Sequence, residues 1–182
     1  MSRDDALELV RPILRTRQFR EFTSEPPTEA ELAALTEVAR WTGSSRNSQP
    51  WRFIVIRDRA MIGRIHAAGA PRTRALLTAP VAIAIVLSGD PGDIEHAFDE
   101  GRVSERLLIA AKLLGLGAGV AWPQTDVWPV VAEILGLPAD HFARTIIAVG
   151  HPSEAATRPK SAPGTARLPA SETVHSEHWP QD

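Results

Sequence analysis

The sequence contains no cysteine and no tyrosine, and its only lysines are Lys112 and Lys160. Without cysteine there is no disulfide, no thiolate metal site and no cysteine nucleophile, so a reducing compartment is permitted. No apolar run reaches membrane length, which argues against a spanning helix. The start Met1-Ser2-Arg3-Asp4-Asp5 lacks the apolar stretch of an export signal. A cytoplasmic protein is the resulting expectation. The formal net charge of −2 supplies no bulk attraction for nucleic acid. Asp99 and Glu100 are adjacent, and adjacent residues on a helix diverge, so they do not read as a catalytic carboxylate pair. His175 and His178 have no third ligand beside them in sequence, so no metal site is expected.

What is present is a chain of 182 residues, 43% hydrophobic, long enough for one domain with a sizeable core. Leu7, Val10, Ile13 and Leu14 predict a helix from about Asp4 to Arg17, made irregular by Pro12. Thr28 and Glu31 form a capping-box pattern opening a second helix, to about Trp41. Phe53–Ile56 and Val81–Leu87 are all-apolar runs, expected to be strands buried on both faces. A helix over Asp58–Ala68 lies between them, with a second short helix over Arg72–Thr78. The longest helix is expected from about Ile94 or Phe98 to Leu116, followed by a short strand or loop at Ala118–Trp122. A helix over Val127–Leu135 and a strand over Thr145–Val149 complete the pattern. Strands alternating with helices give a layered α/β or α+β sandwich. From His151 onward proline and small polar residues dominate, a composition compatible with an unpacked tail.

The most concentrated chemistry lies in Gly43-Ser44-Ser45-Arg46-Asn47-Ser48-Gln49-Pro50-Trp51-Arg52-Phe53. Gly43 and Pro50 bracket its polar part and stop either neighbour from running through it. Its hydroxyls and amides suit a flat, polar-edged ligand, and they could equally satisfy their own backbone. The segment resembles the S-x-x-N-x-Q-P-W stretch of the nitroreductase family of FMN-dependent oxidoreductases. Three further stretches, in the same order as in that family, strengthen the resemblance. Arg17-Gln18-Phe19-Arg20-Glu21-Phe22 is similar to R-S-x-R-x-F. Leu107–Gly117 is similar to L-L-x-A-x-x-L-G-L-G. Val149-Gly150-His151-Pro152 with Arg167-Leu168-Pro169 is similar to the family's apolar strand, G-Y-P, and later arginine and proline.

The resemblance implies an α+β fold: a nitroreductase-like three-layer sandwich with a central mixed sheet flanked by helices. It implies one domain over 1–182, with 151–182 as a C-terminal arm exchanged with the partner of a homodimer. Bound FMN would carry the chemistry, so no catalytic side chain is nominated. NADH or NADPH would be the co-substrate, and a small electrophile such as a nitroaromatic or quinone the acceptor, in ping-pong order. By the same resemblance Arg17, Gln18, Arg20 and Arg167 would hold the phosphate. Ser44, Ser45 and Asn47 would reach the flavin of the opposite subunit. Arg72 would face the pyrimidine edge, and Ala121 and Trp122 would pass the ring. Gln18 stands where serine is common, and Gly43 where proline is. An FMN-dependent oxidase of a peptide or azoline, and a flavin-storing protein without turnover, are the alternatives.

Overall fold

The structure is a computed structural model that describes residues 1–158 and 167–180. Helix α1 (Arg3–Leu14) opens on a capping box between Ser2 and Asp5. It buries none of its residues, so its apolar stripe of Leu7, Val10, Ile13 and Leu14 faces outward. It stops three residues before the expected Arg17, which instead lies on an extended segment. Helix α2 (Glu29–Arg40) starts at the Thr28–Glu31 capping box and buries Leu32, Leu35 and Ala39. Strand β1 (Arg52–Ile56), helix α3 (Arg59–Gly69) and strand β2 (Val81–Ser88) follow. Helix α4 (Ile94–Leu113) is the longest and is capped by Asp93. Then come β3 (Gly117–Ala121), α5 (Trp128–Leu135) and β4 (His141–Gly150), with short helices α6 (Glu154–Thr157) and α7 (Ala170–Thr173) in the tail.

The strands form one sheet in the order β1-β2-β4-β3. On one face Ile83, Ile85 and Ile147 pack with Leu32, Leu35 and Leu107 of α2 and α4. On the other, Ala82, Ala84 and Ile146 pack with Ile62, Ile65 and Val131 of α3 and α5. This is an α+β three-layer arrangement, as the alternation of apolar runs requires. Two sequence expectations are corrected. Every pairing among the described strands is antiparallel, where a mixed sheet was expected. Strand β1 is an edge strand with only Ile56 fully buried, where burial on both faces was expected. Its apolar run is long enough for a core strand, but it gains a neighbour on one side only.

Strand β4 starts at His141, upstream of the expected Thr145, because it continues past a bulge. Ile85 pairs with Thr145 and Leu87 with Phe142, so Ala143 and Arg144 together face Val86. A bulge re-aims the extra side chain; here Arg144 reaches Glu100 of α4. Among the described residues no helix is long and apolar enough to cross a membrane. The described residues contain no cluster of three metal-ligating side chains, and His175 contacts Trp179 edge-on.

Candidate functional site

The extended segment after α1 is sewn to β3. The Phe19 amide donates to the Ala118 carbonyl at 2.8 Å, and the Val120 amide donates to Gln18 Oε1 at 3.3 Å. Gly119 is what lets the two backbones approach. A Cβ built there would stand 1.9 Å from the Phe19 carbonyl oxygen. Further on, Phe22 bridges to Pro152, and the Thr23 amide donates to the His151 carbonyl at 2.8 Å. The basic residues of this segment therefore ride beside the outer edge of β3, which the segment itself covers.

Their guanidiniums differ. Arg17 donates to the carbonyls of Ala156 at 2.9 Å and Thr157 at 2.7 Å, at the end of α6, and lies over the Phe19 ring. It joins the N-terminal segment to the start of the tail. Arg20 is exposed and makes no hydrogen bond or ion pair among the described residues. Arg167, exposed, opens the second described stretch of the tail.

Past the end of β3 lies a cleft of about 480 Å³, lined by Arg72, Trp122, Gln124, Asp126 and Trp128 among others. The position of Arg72 is set by its neighbour. The fully buried Thr73 donates from Oγ1 to the His66 carbonyl at 2.9 Å, while His66 Nδ1 stands 3.1 Å from the Thr73 carbonyl oxygen. A Cβ on Gly69 would sit 2.6 Å from Thr73 and 3.3 Å from Pro123, so the turn carrying Arg72 is pressed against the segment carrying Trp122. The Trp122 indole is 58% exposed at the cleft. The Ala121 side chain is fully buried in the α3/α5 core, so it is the backbone of this residue that could face a ligand. The reason is the strand's alternation, which turns residue 121 inward.

The loop after α2 is a third element, and its partners lie elsewhere. The Ser45 amide donates to Asp99 Oδ2 at 2.8 Å and its hydroxyl to Glu95 Oε2 at 3.0 Å, both on the N-terminal half of α4. Arg102 approaches Asp99 Oδ1 at 3.3 Å, and Asp99 is fully buried. Arg46, Asn47 and Gln49 have φ of 51°, 55° and 48°. Left-handed backbone at non-glycine residues costs on the order of 1 kcal/mol each and marks a conformation held by its surroundings. The Gln49 amide closes the turn on Ser44 Oγ at 2.9 Å, leaving that hydroxyl's proton free to donate. Asn47 is exposed.

Of the residues nominated from sequence, the structure gathers Arg17, Gln18 and Arg20 along the edge of β3, with Arg72 and Trp122 at its end. Ser45 is bonded to α4 instead, with Ser44 and Asn47 beside it in the same loop. Ser45 has both its amide and its hydroxyl engaged there, so the residues of this loop left to meet a ligand are Ser44 and Asn47. Sequence reasoning missed Glu95 and Asp99 as loop anchors. Their spacing of four puts them on one helix face, whereas Asp99 had been weighed only against its neighbour Glu100.

The model of the nitroreductase family matches residues 13–70, which include the basic segment and the central loop. An Archaeoglobus fulgidus protein described as "Putative NADH dehydrogenase/NAD(P)H nitroreductase" is 26% identical over 155 residues, covering 81% of this chain and 87% of that protein. A Methanothermobacter thermautotrophicus protein of the same description is 28% identical over 190 residues, covering 98% of this chain and 90% of its own. The solved structure of an FMN-dependent nitroreductase from Clostridium difficile superposes with a TM-score of 0.79 at 20% identity, over 92% of this chain and 98% of that one. That of the hypothetical oxidoreductase YcnD from Bacillus subtilis gives 0.80 at 22%, over 96% and 75%. The shared fold, the family match over the two polar segments and relatives aligned over most of their length agree in one likeness: the chain has the fold of the nitroreductases and is similar to that family over residues 13–70.

Proposed function

We propose that the protein is an FMN-dependent oxidoreductase that passes a hydride from NADH or NADPH to a small electrophile such as a nitroaromatic or quinone. The observation that carries this reading is the Arg20 guanidinium, without a partner among the described residues and held beside the outer edge of β3 by the backbone bond from Phe19 to Ala118. Arg72 stands at the far end of the same strand, where Trp122 and Pro123 leave it. At the rise of an extended chain the positions from Ala118 to Pro123 span roughly 15 Å. One elongated ligand with an anionic end and a polar ring fits that disposition. Guanidinium is the fork suited to phosphate. Arg20 would take the phosphate together with Arg167, and Arg17 would hold the adjoining tail in place. Gln18 and the backbone of Ala121 and Trp122 would line the ring, and Arg72 its polar edge.

When bound, FMN supplies the two-electron chemistry, and the protein supplies binding, orientation and electrostatics. The cleft at Trp122 would leave one face of the ring for reductant and acceptor in turn, the arrangement that ping-pong order requires.

A homodimer completes the reading. The outward stripe of α1, with Ile94 and Phe98 of α4 exposed at 81% and 68%, is apolar surface suited to burial against a second copy. The loop of Ser44 and Asn47, anchored away from β3, would then serve the flavin of the opposite subunit. The tail beyond α6, whose start Arg17 holds to its own chain, would act as an arm on the partner, and the free edge of β1 offers it a place to add a strand. The test is direct. Purified protein should be yellow and release FMN on denaturation, and anaerobic NADH or NADPH should bleach it. Colourless protein that takes up no FMN would overturn the proposal. Substrate-dependent peroxide formation without nicotinamide would replace it with an oxidase.

A further inference from the structure

Nothing in the run Arg46–Gln49 explains why it adopts left-handed backbone at Arg46, Asn47 and Gln49. Asparagine tolerates that region; arginine and glutamine have no preference for it. The loop is fixed at its ends by Thr42, whose hydroxyl donates to the Val38 carbonyl at 3.1 Å, and by the buried Trp51. Between those ends, among the described residues, the loop is tied outward by the two bonds from Ser45 to α4, the ion pair of Arg46 with Glu95 at 3.6 Å and a bond from Arg52 to the Gln49 carbonyl at 3.2 Å. Of the two acceptors on α4, Glu95 is exposed, and Asp99 is fully buried beneath the loop. Asp99 meets Arg102 on its other oxygen. A charge-assisted bond to a backbone amide is stronger than a neutral one.

We infer that Asp99 is a positioning residue for the cofactor-facing loop: its buried carboxylate holds the Ser45 amide and so sets the left-handed run that presents Ser44 and Asn47. This rests on the proposed reading that the loop serves a flavin. It deepens that reading by separating the residues that would touch the flavin from the one that aims them. Asp99 lies on α4 next to Phe98, on the surface proposed to meet the second subunit. It therefore ties loop geometry to the same helix that would form the interface. Gly43 belongs to this arrangement as well, since a Cβ there would stand 2.9 Å from Arg102 Nη2. A proline or alanine at 43 would displace the guanidinium that steadies Asp99.

The test is a graded series with a double-mutant cycle on the full-length protein. FMN affinity is read by flavin fluorescence, and Ser45 amide protection by hydrogen exchange. Asp99→Ala should weaken FMN at least tenfold and lose the Ser45 protection. Asp99→Asn keeps an acceptor oxygen and should retain most of both. Asn47→Ala added to Asp99→Ala should cost much less than Asn47→Ala alone, because a residue already misplaced has little left to lose. Thermal melts of each variant separate this from general unfolding, and Asp99→Asn keeps the inference testable should the alanine variant fold poorly. Additive effects, or an Asp99→Ala protein that binds FMN like wild type, would overturn the inference and leave the proposed function standing. A wild-type protein that binds no FMN would overturn the proposed function first.

Discussion

The Glu100 carboxylate meets the Arg144 guanidinium at 2.5 Å between α4 and the sheet, with side-chain exposures of 5% and 9%. Arg144 also donates to the Pro91 carbonyl at 2.5 Å, so one side chain ties the bulge of β4, the turn before α4 and the helix itself. Glu100 Oε1, Arg144 Nη2 and His96 Nδ1 are buried without hydrogen-bond partners among the described residues, and buried polar groups of this kind are the usual hosts of internal water. Removing one partner leaves the other charge buried and uncompensated. Glu100→Ala and Arg144→Ala should each lose about 3–5 kcal/mol of folding stability by denaturant titration, and replacing both with apolar residues should recover much of it. Single variants within 1 kcal/mol of wild type would show that the pair contributes little.

Gly119 makes a sharper claim about the site. Alanine there drives a methyl into the Phe19 carbonyl and must push the segment of Gln18 and Arg20 off β3. The backbone cannot yield as a flexible side chain would. Gly119→Ala should cost about 1–3 kcal/mol, the range for overpacking, and should weaken FMN binding as well. A fully stable, flavin-loaded variant would mean that the segment is not held as described.

The layers of the fold were legible from sequence because its apolar runs carry the periods of strands and helices. The capping boxes at Ser2 and Thr28 differ in this respect. The Thr28–Glu31 pattern announces α2, while the Ser2–Asp5 box escapes because Asp replaces the usual Glu or Gln. Strand direction was not legible, since apolar content reports burial and says nothing of whether a neighbour runs parallel. The bulge at Arg144 was also hidden. It depends on a register between β2 and β4 that no local pattern encodes. At the candidate site, residue types nominate segments, but which of their side chains are already engaged within the chain is a tertiary matter. Arg17 and Arg20 look alike in sequence, and only the carbonyls at the end of α6 separate them. Ser44 and Ser45 are likewise neighbours divided by α4.

Glu31 gives a pH test with a definite sign. Its carboxylate accepts from the Thr28 amide at 2.7 Å and the Thr28 hydroxyl at 2.8 Å, and these bonds hold its pKa below the ordinary value of 4.5. A depressed folded pKa stabilises the protein above the unfolded value, and the contribution disappears as pH falls through the lower folded one. Wild type should therefore exceed Glu31→Gln in stability at neutral pH, with the margin shrinking below about pH 4.5. Thr28→Ala should cost about 1 kcal/mol through the lost cap. A margin unchanged at low pH would remove Glu31 from the capping box.

The assignment of the central loop to the opposite subunit can be tested by mixing subunits. Arg20→Ala removes the cation at β3 and should weaken FMN by about 1.5–3 kcal/mol, the value of a charge-assisted bond. Asn47→Ala should weaken it through the loop. Neither homodimer then has an intact site. In a heterodimer of the two variants, the site built on the Asn47→Ala chain keeps its own Arg20 and receives an intact Asn47 from its partner. The other site carries both defects. Half of the sites should therefore bind FMN like wild type, and activity should reappear when the two inactive variants are refolded together. If the loop instead served its own subunit, every site in the heterodimer would carry one defect and none would recover. Restored tight binding can arise only from exchange across an interface, because the two substitutions sit on different chains.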